Sequence, residues 1–237
     1  MTNFTSKNAL VLGGSRGIGA EIVRRFTKDG ACVTFTYANS GDAANVLALE
    51  SGSSALHADS ANRASVIAAV KASGKLDIIV VNAGVLVAGD PLKLDPDGVD
   101  RMIDINVRAP YHAFVEAARL MNDNGRMIII GSCSSERQPF PFLAAYALTK
   151  SAMRGMVKGL ARDFGARGIT VNAVQPGPVD TDMNPEDGPM KDMMHSFMAI
   201  KRHARPEEIA GMVAYLASAE AAIVTGALHT IDGGFSA

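Results

Sequence analysis

A tyrosine and a lysine four residues apart are the first candidates for chemistry in this 237-residue chain. Tyr146 and Lys150 lie within residues 145–150, and Ser132 directly follows the apolar run 127–131. On a helix, a spacing of four puts the phenol and the ammonium on one face, one turn apart. A tyrosine with its usual pKa of about 10 is a poor acid or base at neutral pH, and a nearby cation would activate it. The pattern predicts proton transfer at a carbonyl or alcohol oxygen; the alternative is a half-buried tyrosine beside a solvated lysine.

A glycine-rich segment stands where a cofactor loop is expected. The apolar run 8–12 predicts a buried strand, residues 13–19 follow as Gly-Gly-Ser-Arg-Gly-Ile-Gly, and a helical pattern then runs to residue 29. A helix N-terminus offers free N–H groups to a pyrophosphate. Gly13 would permit the tight turn, Gly17 the close approach to phosphate, and Gly19 the packing of helix on strand. The spacing G-x-x-x-G-x-G matches neither the fingerprint G-x-G-x-x-G nor the triphosphate loop.

Apolar strand candidates alternate with amphipathic stretches along the whole chain. The predicted strands are 8–12, 32–37, 54–58, 76–81, 126–131, 169–175 and 227–231. The predicted helices are 18–29, 41–50, 62–73, 97–121, 146–166 and 206–218. This alternation predicts an α/β fold, a seven-stranded parallel sheet with helices on both faces, formed by residues 1–237 as one domain.

Two connections, 133–145 and 183–204, are long for loops inside one domain, and such loops often bind ligands. Both follow predicted strands at the carboxyl edge of the sheet, where open parallel sheets bind ligands. The methionines and Phe197 of the second loop predict an adaptable apolar lid, with a small satellite core or an oligomer contact as the alternative. Together with the apolar residues 139–143, they predict a pocket for an apolar or aromatic ketone.

Composition excludes several other classes. Hydrophobic residues make up 48% of the chain, charged residues 20%, and the net charge of -1 argues against binding a nucleic-acid polymer. Two cysteines, no signal-peptide pattern and no membrane-length apolar run predict a cytoplasmic protein. Five scattered histidines do not follow a metal-binding motif, so no metal site is expected. Gly131-Ser132-Cys133-Ser134-Ser135 lacks the closing glycine of a serine-hydrolase elbow.

The residues resemble the short-chain dehydrogenases/reductases, which have a Rossmann-like three-layer fold, over nearly the whole chain. The matching motifs occur in the order known for that family: Gly13-x-x-x-Gly17-x-Gly19, Asp59, Asn82-Ala83-Gly84, Asn106, Ser132, Tyr146-x-x-x-Lys150 and Pro176-Gly177-Pro178-Val179-x-Thr181. Many members place the serine thirteen residues before the tyrosine, where this chain has Cys133. We assign the role to Ser132 because it directly follows the strand.

The resemblance implies a carbonyl reductase with four catalytic residues. Tyr146 would protonate the carbonyl oxygen, Ser132 would hydrogen-bond it, and Lys150 would lower the tyrosine pKa and bind the nicotinamide ribose. Asn106 would hold a water that links the lysine to solvent. The implied cofactor-binding residues are Gly13, Ser15, Arg16, Gly17, Ile18, Gly19, Tyr37, Asn39, Ser40, Asp59, Ser60, Asn82, Ala83, Gly84, Tyr146, Lys150, Pro176, Gly177, Val179 and Thr181.

The end of the second predicted strand favours NADPH over NADH. Family members that prefer NADH carry an acidic residue there, which accepts hydrogen bonds from the ribose. Here Tyr37 is followed by Asn39 and Ser40, so no carboxylate would repel a 2′-phosphate. Arg16 in the glycine loop could supply the matching cation; the alternative is a solvated arginine.

Two further partners are expected. Helices 97–121 and 146–166 carry more apolar residues than one sheet face needs, among them Ala113, Val115, Ala117, Ala118, Met153, Met156 and Val157. That excess, like the family resemblance, favours a homotetramer. The chain also resembles a bacterial family member described as binding cyclic-di-GMP and promoting biofilm dispersal. A regulatory binding protein is therefore the alternative function, with Arg24, Arg25, Lys201, Arg202 and Arg205 as possible phosphate contacts.

Overall fold

A computed structural model describes residues 2–237 and contains one seven-stranded, all-parallel sheet in the order β3-β2-β1-β4-β5-β6-β7. The strands are β1 Asn8–Leu12, β2 Cys32–Tyr37, β3 Ser54–His57, β4 Leu76–Val81, β5 Met121–Ile130, β6 Thr170–Pro176 and β7 Leu228–Ile231. The helices are α1 Gly17–Lys28, α2 Gly41–Ser51, α3 Arg63–Ala72, α4 Pro96–Ile103, α5 Ala109–Leu120, α6 Ala144–Phe164, α7 Lys191–Phe197 and α8 Pro206–Ala217. The predicted fold class is confirmed.

Alternate side chains of each central strand enter two separate cores. Val11 of β1 packs with Phe26 of α1 and Val213 of α8 on one face of the sheet. Leu10, its neighbour, packs on the other face with Phe114 of α5 and Val157 of α6. Because side chains alternate along a strand while helices cover both faces, the central strands are apolar throughout.

The predicted helix 97–121 is wrong as one element. It consists of α4, a π-helical turn Asp104–Arg108, and α5. Pro110 has no amide hydrogen to donate to the carbonyl of Asn106 four residues earlier, which favours a widened turn at this point. The break matters because π-helical turns are frequent at functional sites, and this one contains Asn106.

Two other boundaries differ from the sequence prediction. β5 begins at Met121 instead of 126, because Met121 pairs with Leu76 before the register shifts at a bulge; the polar residues 122–125 hid this start. The predicted loop 183–204, here called the lid segment, contains α7. Within residues 2–237, no helix is both long enough and apolar enough to cross a membrane.

Candidate active site

The catalytic candidates meet at the carboxyl edge of the sheet. Ser132 follows β5 directly, Tyr146 and Lys150 lie on the first two turns of α6, and Asn106 lies in the π-helical turn. Lys150 is only 5% exposed, and its Nζ donates a hydrogen bond to the carbonyl oxygen of Ile130 at 3.2 Å. The same Nζ lies 5.7 Å from the centroid of the Tyr146 ring. The structure therefore brings the phenol, the ammonium and the serine hydroxyl together.

The tyrosine keeps its proton at neutral pH in this environment. Burial raises the pKa of Tyr146 to about 12, and the neighbouring Ser132 hydroxyl opposes the rise. Desolvation sets the direction of this shift, and the lowering of the Tyr146 pKa by Lys150 stays a prediction. A protonated phenol is the form that a general acid requires.

Burial makes the charged form of Lys150 less stable than it is in water. Burial lowers the pKa of Lys150 to about 8, since a desolvated ammonium loses its water shell and here gains one backbone carbonyl. The ammonium remains mostly protonated at neutral pH. Buried lysines with a lowered pKa beside another titratable group are more typical of functional sites than of sites that only stabilise the fold.

Asn106 joins the loop after β4 to helix α6. Its amide donates to the carbonyl of Val85 at 2.9 Å and to the hydroxyl of Thr149 at 3.1 Å. Its side-chain oxygen accepts from the Val85 amide at 2.9 Å. Both N–H donors of the Asn106 side chain are thus used within the chain, where they connect this loop to α6. The predicted water between Asn106 and Lys150 remains a prediction.

Thr149 is a residue that sequence reasoning missed. It is fully buried, and its hydroxyl donates to the carbonyl of Tyr146 at 2.8 Å while it accepts from Asn106. The available signal was a polar side chain directly before the candidate lysine Lys150. Thr149 fixes the first two turns of α6, from which Tyr146 and Lys150 extend.

The glycine loop, residues 13–19, packs closely against the end of β4. Gly13 has a positive φ of 77°, and a Cβ there would lie 2.7 Å from the backbone of Ala83. A Cβ on Gly19 would overlap the carbonyl oxygen of Gly13, to which Asn82 donates at 2.7 Å. Arg16 precedes α1 with extended backbone and makes no capping bond. The free N–H groups of this helix start suit a pyrophosphate.

The residues predicted to read the rest of a dinucleotide line the same edge. Tyr37 ends β2, with Asn39 and Ser40 following it, and Asp59 follows β3 and pairs with Arg101 at 3.4 Å. Ser60, Ala83 and Gly84 continue the edge, as do Pro176 at the end of β6 and the succeeding Gly177 and Val179. Thr181 approaches Gly17, since a Cβ on that glycine would lie 3.2 Å from its methyl group.

Arg16 has one ionic partner, which sequence reasoning also missed. Its Nη1 lies 3.4 Å from a carboxylate oxygen of Asp182, and both side chains are more than half exposed. An exposed pair of this kind contributes little to stability, so Arg16 can exchange it for a phosphate at low cost. No carboxylate occupies positions 37–40 at the end of β2.

Cys133, the neighbour of Ser132, belongs to a small apolar cluster. It is buried in an apolar cluster with Met198 and Phe235, against which Phe140 and Phe197 pack. Burial raises the pKa of its thiol to about 12. Ser132 lies close enough to the Tyr146 phenol to influence its pKa and carries a hydroxyl that is not committed to the apolar cluster, which supports assigning the serine role to position 132.

Part of the lid segment forms the small satellite core that its sequence allowed, and a role as a lid stays a prediction. Phe197 and Met198 belong to the satellite cluster around Cys133, while Met183, Met190 and Met193 are exposed. Phe140 and Phe197 meet edge to face at 5.4 Å between ring centroids. The lid segment thus packs beside Ser132 and leaves apolar side chains open to an incoming molecule.

The cations suggested for a regulatory nucleotide already have partners. Arg202 forms a two-pronged pair with Glu208 at 2.7 Å, and Arg25 pairs with Asp29 at 2.8 Å. Arg24 pairs with Glu21, and Lys201 donates to the carbonyl oxygen of His195 at 3.0 Å. Arg205 lies 3.9 Å from the same Glu208 and is 70% exposed, so Arg205 and Lys201 keep charges that no carboxylate of their own neutralises within residues 2–237.

A glycine loop at the crossover between β1 and β4, with a Ser–Tyr–Lys group beside it, defines a nucleotide-dependent oxidoreductase of the Rossmann-like class. A family model described as enoyl-(acyl carrier protein) reductase matches residues 13–236. The chain belongs to the short-chain dehydrogenase/reductase family, whose members are NAD(P)H-dependent oxidoreductases.

Three relatives illustrate its place in that family. The cyclic-di-GMP-binding biofilm dispersal mediator protein of Escherichia coli (strain K12) is 62% identical, over 100% of both chains. The crystal structure of BdcA in complex with NADPH matches with a TM-score of 0.98 and 63% identity, covering 99% of this chain and 96% of that chain. The short-chain dehydrogenase/reductase from Serratia marcescens BCRC 10948 matches with a TM-score of 0.96 and 52% identity, covering 99% of both chains.

Proposed function

We propose that the protein is an NADPH-dependent carbonyl reductase that converts a ketone reversibly into a secondary alcohol. The observation that carries this proposal is the grouping of Ser132, Tyr146 and the buried Lys150 at the carboxyl edge of the sheet, with Lys150 Nζ 5.7 Å from the centroid of the Tyr146 ring. NADPH, which is bound by the similar structure of BdcA, would supply the hydride. We further propose a cytoplasmic location, in keeping with two free cysteines.

The chain's own residues would handle the oxygen and its proton. Ser132 would donate a hydrogen bond to the carbonyl oxygen, where negative charge develops. Tyr146 would donate its proton to the same oxygen, and the nearby ammonium of Lys150 would stabilise the phenolate that remains. Asn106 and Thr149 would hold the first turn of α6 in register for this transfer. Phe140 and Phe197 would exclude water on the side of the lid segment.

The geometry of the glycine loop fits a dinucleotide phosphate. Gly13 and Gly19 allow β1, α1 and the end of β4 to approach closely, and the start of α1 offers free N–H groups. Thr181 lies next to Gly17 of this loop. These residues, with Asn82 and Asp59, are proposed to bind the cofactor.

The substrate panel that tests the proposal consists of aliphatic and aryl ketones, assayed by NADPH consumption with product analysis. The exposed apolar side chains of the lid segment and Phe142, which is 56% exposed, favour an apolar or aromatic ketone. Turnover of at least one ketone class would support the proposal. Tight NADPH binding without turnover of any panel member, combined with cyclic-di-GMP binding, would favour a regulatory protein.

Arg16→Ala is expected to weaken NADPH binding far more than NADH binding, because only NADPH has a 2′-phosphate that loses a charged partner. Tyr37→Asp should act in the same direction by repelling that phosphate. Together they should shift the ratio of kcat/KM values by about 1 to 3 kcal/mol or more. Steady-state kinetics with both cofactors measures this ratio.

Arg24→Ala is the matched control for that prediction, since Arg24 is also exposed and lies on α1, two turns from the loop. It should leave the cofactor ratio unchanged. Equal losses for both cofactors in Arg16→Ala would show that Arg16 shapes the loop without reading the phosphate.

The homotetramer is also a proposal, although its structural basis differs from the sequence argument. Most of the apolar residues named for it, Ala113, Ala117, Ala118, Met153 and Val157, are buried against the sheet of their own chain. An exposed face of α6 remains instead, formed by Leu148, Ala152, Gly155 and Gly159. No atom lies within 4 Å of a Cβ placed on either glycine, so a partner helix could approach closely.

Leu148→Arg is expected to reduce the assembly to a smaller species, because it places a charge on this face. Leu148 is 61% exposed in the chain, so the substitution should not disturb the core. Leu49→Arg on α2, where the leucine is 86% exposed, is the matched control and should retain the tetramer. Size exclusion coupled to light scattering measures the molar mass of each variant. A monomeric mass for the unmodified protein would contradict the proposal.

A regulatory role is the second candidate, favoured by the 62% identical relative that is named for binding cyclic-di-GMP. Equilibrium binding of cyclic-di-GMP, with and without NADPH, tests it directly. Competition between the two would place the regulator in the cofactor cleft. Independent binding would point to a second surface and would be compatible with catalysis.

A further inference from the structure

Two histidines and a glutamate meet in the lid segment, although their spacing follows no metal motif. Glu186, His195 and His203 each offer one ligand atom, and these atoms all lie within 4.8 Å of one another. His195 Nε2 is 2.9 Å from His203 Nδ1 and 3.9 Å from Glu186 Oε1. Ligand atoms bound at about 2.0 to 2.1 Å around a tetrahedral Zn²⁺ would lie within this range of separations.

We propose that Glu186, His195 and His203 bind one divalent transition-metal ion, best matched by Zn²⁺, which fastens the lid segment. Two imidazoles and a carboxylate are ligands that suit Zn²⁺ and not Mg²⁺. Three protein ligands leave a fourth position for water. This site is separate from the catalytic group and does not depend on the proposed reaction.

The surroundings of the three side chains favour a metal over a simple hydrogen-bonded pair. His203 is 2% exposed, yet its Nε2 has no hydrogen-bond partner among residues 2–237. The hydrogen bond between His203 Nδ1 and His195 Nε2 therefore satisfies only one of the two nitrogens of this buried ring.

The backbone around the site already holds the ligands near one another. The amide of Glu186 donates to Asp180 at 2.9 Å, and the amide of His203 donates to Glu186 at 3.2 Å. Ala204, next to His203, pairs with the backbone of Pro178 at 2.9 Å. Such a site needs little rearrangement, and the Glu186 side chain, 38% exposed, leaves an entry path from solvent.

A metal here would act on the lid segment as a whole. Glu186 lies near the start of the lid segment, His195 lies on α7, and His203 lies near the end of the lid segment. Two residues after His195, Phe197 packs on Phe140 and Phe235 beside Cys133. The ion would therefore cross-link three parts of the segment that covers the side of the active site next to Ser132.

Zinc titration of the chelator-treated full chain, in competition with a chromophoric chelator, tests the proposal. One equivalent of Zn²⁺ should bind per chain, and Glu186→Gln, His195→Gln and His203→Asn should each weaken binding by at least about tenfold. His112→Gln on α5 is the matched control and should bind as the unmodified chain does. Equal affinity in all four variants, or no binding by the unmodified chain, would overturn the proposal.

Thermal unfolding gives a second readout that does not involve activity. Zn²⁺ should raise the Tm of the unmodified chain and of His112→Gln, because it binds the folded state alone. The half-exposed Glu186→Gln should fold normally and lose this shift, even if the buried His203→Asn unfolds. Mg²⁺ should have no such effect on any of them. An equal Zn²⁺ shift in Glu186→Gln would place the metal elsewhere and refute the assignment.

Discussion

Replacing Tyr146 with phenylalanine is expected to lower kcat by about a thousandfold or more while leaving NADPH affinity nearly unchanged. The substitution removes one hydroxyl and keeps the ring against which Lys150 lies at 5.7 Å. The raised pKa of about 12 means that this hydroxyl carries its proton at neutral pH. Without it, the alkoxide formed on reduction would have to take its proton from water.

Tyr111→Phe is the matched control, because Tyr111 lies on α5 and is 50% exposed. It should leave kcat and cofactor affinity unchanged. Steady-state kinetics and NADPH fluorescence titration separate the two effects. If Tyr146→Phe keeps more than about a tenth of the activity, Tyr146 is not the proton donor.

Ser132→Ala should cost about a hundredfold in kcat, since it removes a donor to the oxygen on which charge develops. Its neighbour Cys133 offers an internal comparison. The Cys133 thiol is buried in an apolar cluster, and its pKa is raised to about 12. Cys133→Ala should therefore change stability more than chemistry, through the cavity that it leaves.

Both kcat and the free energy of unfolding are measured for Ser132→Ala and for Cys133→Ala. We expect a large loss of kcat only for Ser132→Ala and a measurable loss of stability for Cys133→Ala. The reverse pattern, with Cys133→Ala inactive and Ser132→Ala harmless, would show that Cys133 and not Ser132 donates to the alkoxide. It would also restore the thirteen-residue spacing that many family members show.

Features fixed by local sequence were predictable. The strand, glycine loop and helix around Gly13 depend on adjacent residues, and so does the spacing of Tyr146 and Lys150 on one helix face. The π-helical turn at Asn106 was readable in principle, because Pro110 removes one amide donor. The early start of β5 was not, because Met121 pairs across a bulge and is followed by polar residues.

Features that depend on tertiary contacts escaped sequence reasoning. The upward pKa shift of Tyr146 comes from burial by surrounding segments, whereas its distance from Lys150 along the helix suggested the opposite direction. The grouping of Glu186, His195 and His203 depends on how the lid segment folds back on itself around α7. The spacing of these three residues in the sequence follows no short motif that would predict the cluster.

Transfer of deuterium from NADPH labelled at C4 of the nicotinamide is the measurement that tests the central claim most directly. The unmodified chain, a ketone from the panel and the labelled cofactor are incubated together, and the product is analysed by mass spectrometry and NMR. We predict one deuterium on the carbinol carbon for one of the two C4 epimers. Labelling with Tyr146→Phe should be about a thousandfold slower, within the range of about 10²- to 10⁴-fold that general acid catalysis contributes. Absence of label in every product, while NADPH binds tightly, would contradict the assignment of this protein as a carbonyl reductase.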